Sequence, residues 1–189
     1  WENDPLSEKA FVDLMKYDTK GNIVPELVES YNILEDGKTF EINLKDNLAW
    51  DDGEKLTIDD VIFTIEIIQN PDFKSPLRAA WVGVTIEKVS DKTLLLKLRE
   101  SSGIFLENLT LEIIPRHVWQ NIPAQNFPFS IHNLQAIGSG PYKIDKINQD
   151  KTGYIRSLSL IRNNKYVGGK TKIDKITFYF FKEEDSLVK

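Results

Sequence analysis

Read for apolar and polar spacing, the chain changes period several times. Leu6 to Met15 places Phe11, Leu14 and Met15 on one side and predicts a short helix, which "KYDTKGNIVPEL" ends with a glycine turn and a proline. In "YNILEDGKTFEINL", two runs of alternating apolar and polar residues flank Asp36-Gly37. This predicts a β-hairpin, because glycine accepts the positive φ that a tight turn requires. From Thr57 the period becomes helical, with Ile58, Val61, Ile62, Ile65 and Ile68 at spacings of three and four. Thr57 is a natural N-cap and Asp60 stands at the capping-box position, so a helix is predicted to start there and to end before Pro71.

Beyond that helix, "VGVTIEKVSDKTLLLKLR" (82–99) predicts two strands around a Ser-Asp-Lys turn. "GIFLENLTL" reads as a short helix ahead of "EIIPRHVW". The segment 121–136, "NIPAQNFPFSIHNLQA", is the longest irregular stretch and a candidate boundary. After it, "GPYKIDKI" and "YIRSLSLIR" form a predicted hairpin around "NQDKTG", and "KIDKITFYFF" reads as a buried strand. This order of elements predicts an α+β fold with mixed, mostly antiparallel sheets and a few helices.

Composition narrows the function classes. The 41% hydrophobic and 28% charged fractions over 189 residues are those of an ordinary globular chain. No apolar run approaches the roughly 18 residues that a membrane helix needs, and nothing reads as a signal peptide. The absence of cysteine excludes disulfides, thiolate metal sites and cysteine nucleophiles. Net charge is −5 and the 24 Lys and Arg residues are scattered, which argues against a nucleic-acid partner.

The candidate chemistry is thin. Gly138 and Gly140 suggest a phosphate-binding loop, but Pro141 donates no N–H and a strand pattern follows, so a bend into a sheet is the better reading. Asp51/Asp52 lead into the Gly53 turn, and Asp59/Asp60 sit where a helix dipole favours negative charge; neither pair requires catalysis. His117 and His132 lie fifteen residues apart with no metal-ligand or nucleophile motif beside them. Of Trp1, Trp50, Trp81 and Trp119, Trp50 is expected to pack under the turn it precedes. Arg78 stands three residues before Trp81. On a helical turn the two could offer a cation and an aromatic plane to one ligand, or simply pack at the surface.

Several ordered motifs together resemble the extracellular solute-binding proteins of family 5, the oligopeptide, dipeptide and nickel receptors of ABC importers. They are Pro25, Leu27 to Tyr31, Asp36-Gly37, Leu44-Lys45, Trp50 to Gly53, Thr57 to Val61, "GSGPYKI" and "LIRNNKYVGGKTKIDKITFYFF". Where the family favours other residues, this chain has Tyr31 for tryptophan, Lys45 for arginine, Val167 for a second tryptophan and Thr171 for proline. The resemblance implies a partial lobe I of a two-lobed, type II periplasmic-binding-protein-like fold. Residues 1–136 would form a smaller α+β domain packed on lobe I, and 137–189 part of the lobe I sheet. The first strand, the second lobe and the returning C-terminal segment would lie outside this chain.

It further implies no enzyme, no cofactor and no metal centre. Peptides or a related small solute would be captured outside the cytoplasmic membrane, either free or lipid-anchored, for delivery to ABC permease subunits. "RAAW" resembles a ligand-facing Arg-x-x-Trp segment of the nickel-receptor branch and raises Arg78 and Trp81 as cleft-facing candidates. Leu77 stands where the oligopeptide branch has a ligand-contacting tyrosine. Two alternatives remain open at this level: a receptor or adaptor of the same fold that signals through a partner protein, and a hydrolase, for which no nucleophile–base pair is visible.

Overall fold

In the computed structural model, which describes residues 11–34 and 36–181, runs of strands are separated by runs of helices and turns, as the α+β reading expects. Strands β1 (Met15–Tyr17) and β2 (Ile23–Pro25) form a small antiparallel pair. The predicted N-terminal helix is not borne out where it can be checked: residues 11–14 lie outside helix, and Met15 begins β1. Phe11, Leu14 and Met15 are nonetheless all buried. The apolar positions were real, but three such residues in a short run fit either period, and pairing with Ile23–Pro25 selected the extended one. The rest of that prediction, 6–10, lies outside the described residues.

The hairpin is β3 (Val28–Ile33) and β4 (Thr39–Leu44), with Gly37 at φ 64. The Asp36 carboxylate accepts from the backbone N–H groups of Lys38 and Thr39, both at 2.8 Å, and so closes the turn. β5 (Thr85–Lys88) and β6 (Thr93–Lys97) complete a four-stranded antiparallel sheet in the order β3-β4-β6-β5. Register sets Phe40 opposite Leu96 and Ile42 opposite Leu94, and all four are buried. That is the one-sided alternation the sequence carries.

Helix α1 (Ile58–Gln69) starts in the predicted capping box: Thr57 accepts from Asp59 N–H, and Asp60 Oδ2 accepts from Thr57 N–H at 2.9 Å. Ile58, Val61, Ile65 and Ile68 enter one core with the inward residues of β4 and β6, while Ile62 packs at its edge. A one-turn helix α2 (Arg78–Trp81) and a 3₁₀ turn (Phe105–Leu109) close around that core, and a one-turn helix α3 (Arg116–Trp119) follows, its Trp119 packed against Phe127. Residues 121–136 contain two further 3₁₀ turns, Ala124–Phe129 and Ile131–Asn133.

A second antiparallel sheet follows, β7 (Tyr142–Gln149), β8 (Ile155–Arg162) and β9 (Lys175–Tyr179), in that order. Its own cluster contains only Tyr142, Leu158 and Leu160 as buried residues. The expectation of a buried strand over "KIDKITFYFF" needs correcting. β9 is an edge strand with no fully buried residue, and Tyr179, Phe180 and Phe181 are exposed at 69%, 36% and 45%. Continuous apolarity signals burial only when layers cover both faces, and β9 lies at the edge of the described sheet beside β8, which is the strand that is buried, at Ser157–Leu160.

Candidate functional site

The segment that could meet a ligand is built by the end of α1. After Asn70 and Pro71 the chain turns through Lys74, at φ 55, and Ser75 Oγ accepts from Leu77 N–H at 3.2 Å. This launches α2, whose Val82 N–H returns to Arg78 C=O at 2.9 Å. Arg78 and Trp81 therefore do share a helical turn, but their side chains diverge. Trp81 is wholly buried, with its ring edge-on to Phe105 at 5.4 Å, so it is a core residue and not a surface one. Its indole N–H has no hydrogen-bond partner among the described residues. Arg78 is half-buried; its Nε donates to the C=O of Gln69 at 3.0 Å, and its two Nη groups have no partner among the described residues. Leu77 is half-buried against the large core.

Gln69 contributes more than its carbonyl. Its side-chain amide donates to Trp81 C=O at 2.8 Å and to Val84 C=O at 2.9 Å, so one residue clips both sides of the following turn. Nothing in the spacing of α1 singled out Gln69. The turn also needs Gly83, at φ +87, where an added Cβ would fall 2.6 Å from Arg99 Nε.

The acidic residues form a second feature, at the seam between the two clusters. Asp51 N–H donates to Gly138 C=O at 2.9 Å, and Gly138 N–H returns to Asp51 Oδ2 at 3.2 Å. The glycine cluster thus enters the sheet through backbone pairing, as the bend reading expected. Burial pushes the Asp51 carboxyl above its ordinary range, against the opposing pull of the Gly138 N–H and the charge of Lys143. Asp52 faces burial too, but the His117 Nε2 contact at 2.9 Å and the Glu54 N–H outweigh it and hold the carboxyl low. Asp60 is raised by burial, partly offset by the N–H groups of Thr57 and of Arg116 at 2.9 Å. The Trp50 indole N–H lacks hydrogen-bond geometry to any acceptor among the described residues, yet lies close enough to favour the charged form of Asp60. Trp50 itself is fully buried, as expected.

Beside this seam runs an open groove of about 580 Å³, lined among others by Asp51, Leu134, Ile137, Lys143 and Ile147. Among the described residues no group of three or more His, Asp or Glu could hold a metal ion, and no helix is long and apolar enough to cross a membrane. Several of the described acids are held by turns, caps and ion pairs, among them Asp36, Asp60 and Asp59.

The motif order and the antiparallel sheets can be set beside known proteins. The profile of the bacterial extracellular solute-binding proteins, family 5 (middle region) matches residues 22–189, and the chain belongs to that family. It is similar to the oligopeptide-binding protein AppA of Bacillus subtilis, at 30% identity over 93% of this chain and 32% of the relative. Among solved structures it resembles NikZ from Campylobacter jejuni in complex with Ni(L-His), with a TM-score of 0.85 at 26% identity over 99% of this chain and 36% of the other. It also resembles Bacillus subtilis AppA in complex with a nonapeptide, with a TM-score of 0.85 at 26% identity over 96% of this chain and 36% of the other. The chain therefore spans about a third of the length of the relatives it matches.

Proposed function

We propose that this chain is part of the substrate-binding subunit of an ABC importer, working outside the cytoplasmic membrane, lipid-anchored or free. It captures peptides or a related small solute for ABC permease subunits. The observation that carries this reading is the family match over residues 22–189, together with a fold shared along nearly the whole chain with a peptide-bound relative. Residues 1–136 serve as the smaller domain and 137–189 as part of the lobe I sheet; the buried members of the large cluster all lie within 12–113 and those of the small one within 142–160, which supports that division, while Ile137, Tyr166 and Val167 join the two by packing on the large cluster. The mechanism is binding without bond chemistry: a second lobe closes over the solute, and closure is what the membrane subunits recognise.

On the retained lobe, the ligand-facing group is the turn Leu77, Arg78 and Trp81. The two unpartnered Nη groups of Arg78 support this, since they remain available to a carboxylate in bidentate geometry. Trp81 anchors the turn in the core and offers no open plane to a ligand, given its complete burial. Titration of the full-length protein with a nonapeptide library, nickel–histidine chelates and small oligosaccharides should reveal saturable binding to at least one class. Saturation by none of them would end the transport reading.

A further inference from the structure

We propose that Gln69 is the positioning residue of the Arg78 turn: through three hydrogen bonds it fixes the guanidinium with its Nη pair facing outward, ready for a carboxylate on the solute. The inference rests on the reading that this turn faces the ligand. Three contacts converge on one residue. The Gln69 C=O, at the last position of α1, accepts from Arg78 Nε, while the Gln69 side-chain amide donates to the carbonyls of Trp81 and Val84. The amide therefore ties the outgoing end of the turn to the same helix terminus that holds the incoming arginine.

The consequence for Arg78 is geometric. Its Nε is committed to a carbonyl, so the guanidinium plane is set by α1 and only the Nη edge remains for a partner. Arginine loses considerable rotamer freedom when it binds, and a guanidinium already oriented loses less at that step. Trp81, packed edge-on against Phe105, keeps the turn from sliding along the core but cannot orient the arginine, because its side chain points away from it. Glutamine is suited to the clip because one NH₂ supplies two donors. Leucine has similar bulk and no donor.

The test uses Gln69→Leu, Arg78→Ala and the double variant of the full-length protein, titrated calorimetrically with the tightest-binding nonapeptide of the library above. Hydrogen exchange of residues 78–84 is followed in parallel. Arg78→Ala is expected to weaken binding by about tenfold, the scale of a charge-assisted hydrogen bond. Gln69→Leu should weaken it several-fold and speed exchange of the Val82 and Val84 amides, while adding nothing in the Arg78→Ala background. A purely structural Gln69 would lower stability with effects on affinity that add to those of Arg78→Ala, and additivity would overturn the inference while leaving the ligand-facing turn intact. An Arg78→Ala variant with unchanged affinity would overturn both.

Discussion

Asp51 shows how little a residue's type reveals about its state. The sequence places it in a turn before glycine, and so it is. Only the fold brings Gly138, Lys143 and Lys165 against it and removes enough water to raise its carboxyl. The sign of the resulting pH dependence follows. With the folded value above the ordinary 3.8, the charged form is the one that burial penalises. Asp51 thus subtracts from stability at neutral pH, and the penalty is relieved as pH falls through the folded value towards 3.8. Asp60 acts in the same direction. Asp52, held low, acts in the opposite one: its contribution is complete above 3.8 and disappears as pH falls through its folded value. Asp51→Asn keeps an acceptor for the Gly138 N–H while removing the charge. In urea unfolding at pH 7, 5.5 and 4.5, the wild type should gain on this variant as the solution is acidified. A constant difference across that range would mean that Asp51 is not strained by burial.

For individual elements, legibility tracked the number of independent signals. α1 was legible in full because period, N-cap, capping box and the following proline all agreed. The hairpins were legible because Asp36-Gly37 and the alternation around it leave one register that buries Phe40 and Ile42. The stretch before Tyr17 carried a single weak periodicity, and its described part is irregular at 11–14 and strand from Met15. α2 is one turn long and owes its geometry to neighbours, above all Gln69 and Gly83, which no spacing rule identifies. Gly83→Ala is expected to cost about 1–2 kcal/mol, since alanine would be forced to positive φ beside Arg99. Gly103→Ala, at a glycine with open space around it and no positive φ, is the matched control and should be close to neutral. Equal stabilities for the two variants in urea unfolding would show that the turn does not depend on glycine at 83.

In the molecule as a whole, the two sheets differ in how well they are supported. The four-stranded sheet shares a core of 23 buried hydrophobic residues with α1, whereas among the described residues the three-stranded sheet has a hydrophobic cluster with three buried members. Three strands with one thin apolar face are near the lower limit of independent stability. Amides of β7–β9 should therefore exchange faster than those of β4, β6 and α1 when hydrogen exchange is followed on this chain. Protection equal to that of α1 would show that the seam at Asp51 and Gly138, with the Tyr166–Glu26 hydrogen bond at 2.9 Å, supports the sheet more than its burial suggests. The proposed mechanism also needs a second lobe to close over the solute. This chain alone should bind the physiological solute weakly or not at all, and a micromolar dissociation constant measured on it would place the binding surface within these residues.

By itself the sequence determined the α+β class, the central hairpins, the capped helix and, through ordered motifs, the family. Each of those is encoded by neighbours within a few positions of one another, where backbone preference and side-chain period act directly. The tertiary structure alone decided that Trp81 is core, that Gln69 holds Arg78, that Asp51 meets Gly138 across 87 positions of chain, and that β9 is an exposed edge. Those outcomes depend on which surfaces meet and how much water they exclude, and local pattern carries no information about either.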